Sequence, residues 1–194
     1  MSALLLGTAI GPLVGGVIFD NFGMRASFWA TGLGLLFAAA MVLIMVREDF
    51  VKPEAVKSPL EPFKSLWSLV GNSRFLPVLV MAMMLHAGVL MITPAVAGLV
   101  ATLDGGSSDA SLTGVVFAAI GIAGAISSFG MGWLAGRIGI RRMFIVAAAV
   151  ASVSSVGPFF ADGFVEFTLL LAFVALFQGG LAGLLQGLIA LRTP

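Results

Sequence analysis

Apolar positions in this chain form long unbroken blocks rather than alternations. Six blocks fall at Ser2–Phe19, Ala26–Val46, Phe75–Ala101, Ser111–Ala135, Met143–Ala161 and Phe164–Leu191. Each is near the ~20 residues that a helix needs to cross the hydrocarbon layer of a bilayer. Blocks of this length predict helices, not the short alternating strands of an outer-membrane barrel. The third and sixth are long enough to tilt or kink. Pro94 and Pro158 predict kinks in the third and fifth. The predicted fold class is therefore all-α integral membrane, with six transmembrane helices.

Composition agrees. The chain has 194 residues, 60% hydrophobic and 10% charged, with a mean hydropathy of +1.14. A soluble domain carries about 25% charged residues, and no soluble fold hides this much apolar surface. Met1 leads straight into an apolar run with no basic leader, unlike a secretory signal peptide. With no cysteine there is no disulfide framework and no thiol chemistry. A net charge of +1 without a large basic cluster predicts no nucleic-acid partner.

The sparse charges set a direction. Counted over alternate gaps, the second and fourth links and the C-terminal tail hold nine of the ten basic residues. The positive-inside rule places that side, and both termini, in the cytoplasm. Asp20, Asp104, Asp109, Asp162 and Glu166 fall on the opposite side. The expected location is the inner or plasma membrane, with the lipid bilayer as the first partner.

The longest link divides the chain into residues 1–46, a cytoplasmic linker over 47–74, and residues 75–194. The linker begins with mixed charges and Pro53, Pro59 and Pro62. Phe63, Leu66, Trp67 and Val70 then recur at helical spacing, which predicts an amphipathic helix over 62–71 lying in the membrane interface.

Glycine is the most structured signal. Gly7, Gly11 and Gly15 recur every four residues, with Pro12 and Gly16 set among them. That spacing puts three glycines on one helix face, where a second backbone can approach closely. A second ladder, Gly179, Gly183 and Gly187, lies in the last span. Around Gly23, a tight reversal is expected, with Arg25 placed to pair with Asp20.

Few side chains within the spans carry chemistry. His86 is the only ionisable group deep in any span. Such a residue is a candidate proton or substrate contact; the plainer reading is a neutral imidazole bonded to a neighbouring helix. Gln178 and Gln186 need partners in the bilayer, across helices or along a substrate path. One histidine and no cysteine exclude an ordinary zinc site. Asp104-Gly105-Gly106-Ser107-Ser108-Asp109 lacks the lysine and the following helix pattern of a nucleotide loop. No enzyme signature and no cofactor are expected.

The string Gly7-Thr-Ala-Ile-Gly11-Pro12-Leu-Val-Gly15-Gly16, followed by an aspartate and Gly-x-Arg, resembles the antiporter signature of the major facilitator superfamily. In that family it lies in the fifth of twelve helices. Gly132-Trp-Leu134-Ala135-Gly136-Arg137-Ile-Gly139-Ile-Arg141-Arg142 is similar to the family's cytoplasmic loop motif, which recurs after the eighth helix. Gly136 stands where the family prefers aspartate. Numbering the first span as the fifth makes the fourth span the eighth, so the two landmarks agree in register. The flavour is that of the drug:proton antiporter branch.

The resemblance implies part of a twelve-helix fold, covering helices five to ten, with the parent's other helices as missing partners. It implies secondary transport driven by a proton gradient, with amphipathic small molecules or drugs as substrate. It also implies that Arg137, Arg141 and Arg142 clamp helix ends in one transport state. The plainer reading of these arginines is anchoring beside anionic lipid. Two alternatives to drug efflux stand beside it: a truncated, non-transporting helix-packing remnant, and a facilitator for sugars or other polar solutes.

Overall fold

A computed structural model describes residues 2–47, 76–103 and 110–190. Among them the regular structure is helical throughout. In chain order the helices are α1 (Ser2–Phe22), α2 (Met24–Met45), α3 (Leu76–Leu103), α4 (Ala110–Ile138), α5 (Ile140–Ser154) and α6 (Phe164–Ala190). Five segments are long and apolar enough to cross a membrane, counting α5 together with the turn that follows it. The described apolar part of α1, Leu6–Phe22, is shorter. The 62–71 interfacial helix predicted from sequence lies outside the described residues.

Two of the connections are single glycines. Gly23 joins α1 to α2 at φ 80°, and Gly139 joins α4 to α5 at φ 93°. Only glycine takes this left-handed conformation without a steric penalty. Each glycine N–H closes the preceding helix, on the Phe19 carbonyl (2.8 Å) and the Ala135 carbonyl (2.9 Å) respectively. Both glycines stand in a Gly-x-Arg triplet. The two similar motifs therefore make the same hinge at opposite ends of the bundle.

Pro158 does more than kink the fifth span. α5 stops at Ser154, and one 3₁₀ turn covers Gly157–Phe160. Proline offers no N–H and its ring collides with the carbonyl four residues back, so the α-helix ends there. Pro12 and Pro94, by contrast, lie inside α1 and α3, whose helical assignment runs through them.

The core lies between α3, α4, α5 and α6. Near the turns at the arginine end, Met131, Ala135, Met143, Phe144, Leu181 and Leu184 form one buried cluster. Toward the other end, Val96, Val100, Val116, Phe167 and Leu171 form a second. α1 packs chiefly on α4, and α2 chiefly on α1. No residue of α2 is buried. Two helices before the long link thus meet four helices after it chiefly along one helix pair.

Candidate functional site: the α1–α4 seam

α1 and α4 run antiparallel and meet through small residues. A Cβ added to Gly121 would sit 2.6 Å from the Cα of Ala9. One added to Gly114 would sit 2.6 Å from the Pro12 carbonyl oxygen and 2.9 Å from the Leu13 Cα. One added to Gly16 would collide with the Ala110 carbonyl. Real Cβ atoms do not approach backbone so closely, so glycine is required at all three places. This is the close backbone approach that membrane helices use in place of hydrophobic association.

Asp20 finishes the seam. Ala110 N–H donates to its Oδ1 (2.9 Å), and Ser111 N–H donates to its Oδ2 (2.7 Å). The first N–H groups of a helix have no partner within it, and a carboxylate there also meets the positive end of the helix dipole. Sequence reading offered Arg25 as the partner of Asp20. The structure gives the carboxylate to α4 instead, because Asp20 lies one turn beyond Gly16 on the face that meets Ala110, whereas Arg25 is exposed beyond the Gly23 hinge.

Beside the seam lies an apolar cavity of about 530 Å³. Gly15, Phe19, Val100, Thr113 and Phe117 help to line it, with Ser27 of α2. The Ser27 and Ser127 hydroxyl oxygens are buried and have no hydrogen-bond partner among the described residues.

The first glycine ladder occupies a different face from the one expected. Gly7, Gly11 and Gly15 would each carry a Cβ into open space. At about 100° per residue the stripe Ala9, Leu13, Gly16 and Asp20 points nearly opposite to the stripe Gly7, Gly11 and Gly15. Of the five residues singled out in α1, Pro12 and Gly16 sit in the seam, Gly15 borders the cavity, and Gly7 and Gly11 are exposed.

The second ladder divides as well. A Cβ on Gly179 would collide with the Gly124 Cα, and one on Gly180 with the Met131 sulfur. Gly183 faces open space, and Gly187 makes only ordinary contact with Ile140, at 3.6 Å.

In the loop motif, Gly132 and Gly136 also face open space, and Gly139 is the hinge. The Arg137 guanidinium lies 4.0 Å from the centroid of the Trp133 ring, one turn back on the same helix. Arg141 and Arg142 are exposed. His86 is exposed on α3, and Gln178 is half-buried on α6; no hydrogen bond joins them. The Gln186 side chain lies outside the described residues. Among those residues, no group of three His, Asp or Glu is placed to hold a metal ion.

These features define a multi-pass helical membrane protein in which one close-packed pair joins the helices on either side of the long link. The model of the Major Facilitator Superfamily matches residues 1–194. The chain belongs to that superfamily. It is 30% identical over 146 residues to "Multidrug resistance protein MdtG" of Enterobacter lignolyticus (strain SCF1), and 31% identical over 146 residues to the protein of that name in Klebsiella pneumoniae (strain 342). In both cases the match covers 75% of this chain and 35% of the relative. The chain thus matches about a third of the length of these curated relatives. No solved structure gives a significant match.

Proposed function

We propose that this chain is part of a secondary active transporter that exports amphipathic small molecules in exchange for protons. The observation that carries the reading is the seam: two groups of helices, separated in sequence by the long link, touch through backbone-scale contacts along one helix pair. Such a joint lets two rigid bundles rock about a central site, the motion that transporters of this kind use. The names of the multidrug relatives support drugs as the substrate class. The near absence of charge from the described spans favours greasy substrates over sugars.

In this reading residues 1–46 close the N-terminal half, 47–74 is the cytoplasmic linker, and 75–194 forms most of the C-terminal half. Both termini are cytoplasmic, and the missing helices of the parent transporter are its partners. The arginine end then faces the cytoplasm, and the seam holds the Asp20 end shut. His86 and Gln178 are the polar groups offered to proton or substrate. The Arg137–Trp133 stack favours anchoring of the arginine loop at the interface over a clamp.

A dye-efflux assay tests this reading. Proton-dependent efflux is expected when the chain is supplied with its missing helices and absent from the chain alone. Absence in both cases would leave a helix-packing remnant, the second reading. Within an active assembly, His86→Gln should alter the pH profile of transport. An unchanged profile would remove His86 from proton handling.

A further inference from the structure

We infer that Asp20 is a latch that holds the α1–α4 seam closed at one end and must release α4 for that end to open. Three observations carry the inference. First, the bonds join residues 90 and 91 positions apart, across the long link between the two helix groups.

Second, a local alternative exists and is used elsewhere. At the start of α6, Glu166 Oε2 accepts from the Asp162 N–H at 3.2 Å, a cap supplied from within the same element. α4 takes its cap from another helix. A cap of that kind ties helix integrity to helix pairing.

Third, α1 brings little buried side chain to the rest of the seam. Among the described side chains of α1 only Ala9 is a buried apolar residue, and α2 contributes none. What α1 has there is close backbone packing of glycine and alanine, the contact through which membrane helices associate. The carboxylate bonds are the polar, directional part of the joint. A carboxylate that leaves two amide donors is readily rehydrated at the end of a span, where water is at hand. The latch is therefore strong enough to favour closure and exposed enough to break: Asp20 is an exposed residue. Asp20 acts through α4, as a positioning residue; it touches no substrate.

The inference rests on the transport reading only for the purpose of opening, and its test needs no transport. The chain has no cysteine, so a single introduced cysteine is a unique probe. Thr113→Cys places a thiol on the cavity wall one turn inside the latched end. Ala147→Cys places one in the core between α4, α5 and α6, at a position 0% exposed. Each is put into the full chain in lipid nanodiscs and labelled with a charged maleimide.

With Asp20→Ala, labelling of Thr113→Cys should quicken about tenfold, the scale of losing a helix cap. Ala147→Cys should remain unreactive. Asp20→Asn keeps one acceptor oxygen but no charge and should give a smaller rise. Asp20→Glu should restore most of the protection. An unchanged Thr113→Cys rate in Asp20→Ala would overturn the latch. So would a parallel rise at both cysteines, which would make Asp20 a cap needed only for folding. Loss of efflux with these labelling results intact would count against the transport reading alone.

Discussion

α4 carries a glycine contact on each of two sides, and the two are built differently. Toward α6, Gly124 meets Gly179 and Met131 lies over Gly180, with the two buried clusters above and below. Toward α1, Gly114 and Gly121 meet the backbone of Pro12 and Ala9, and almost no buried apolar side chain accompanies them. The first contact is embedded in a core. The second is a bare seam with a carboxylate at its end. Glycine allows close approach in both cases, but the surrounding side chains decide whether the joint is permanent. A core contact that parts leaves many dispersion contacts unmade. A seam that parts gives up the contacts of one helix pair and leaves that core closed.

Substitutions that fill the two contacts should therefore fail in different ways. The largest effect is expected at Gly179. Gly179→Val drives a branched side chain into the Gly124 backbone, with the core unable to yield. A loss of about 3 kcal/mol or more is expected, at the upper end of overpacking costs. Thermal unfolding of the purified chain in detergent would measure it. A loss as small as that of a seam variant would erase the distinction between core and seam.

Gly121→Val and Gly16→Val come next. Each Cβ would meet α1 or α4 backbone, but α1 can swing away while the four-helix core stays intact. Core stability should fall by no more than about 1 kcal/mol, the typical scale of a point substitution. Seam closure should nevertheless be lost, read as faster labelling at Thr113→Cys with Ala147→Cys protected. If the core melts with the seam, the two regions form one cooperative unit.

How far each region was legible in the sequence follows from the physics that made it. Helix existence came from hydrophobic length, which a bilayer enforces, and the order of the six helices follows from the six blocks. Glycine content in α1 announced close packing but not its direction. A four-residue step was visible at Gly7, Gly11 and Gly15, yet the face that packs is Ala9, Leu13, Gly16 and Asp20, where alanine and leucine mask the stripe. The partner face went unread, although Gly114 and Gly121, seven residues apart on one helix side, carried a signal for it. Asp20 was noticed as a charge at a span end, but its bond to α4 required knowing which helix begins beside it. Pro158 was legible as a disruption. That it ends α5 outright depends on the turn that follows.

The exposed glycines offer a sharper test of the same comparison. Gly11→Ala introduces a Cβ that meets nothing within 4 Å, and alanine is the better helix former by about 1 kcal/mol in soluble hosts. In the chain alone, stability should hold or rise slightly, unlike Gly16→Val one turn away. In an assembly with the helices proposed to complete the transporter, the outcome separates two roles for this face. Indifference there would make Gly7 and Gly11 lipid-facing. Damage confined to that assembly would mean that the completing helices pack on them.

The smallest effect is expected at the arginine end. The Arg137 guanidinium stacks on Trp133, which is itself 63% exposed. At such exposure a cation–π contact contributes about 0.5–1 kcal/mol, and loss of the indole should change stability by no more than that. Trp133→Ala should act instead on position, because an indole and a guanidinium together hold a helix end at the headgroup level. Its consequence should appear as weaker protection of the Gly139 hinge amide in hydrogen exchange in bilayers of anionic lipid, while Thr113→Cys labelling at the far end of α4 stays unchanged. Coupled change at both ends would show that the loop senses the seam along the length of α4. Independence would confine state control to Asp20 and leave the arginines as anchors.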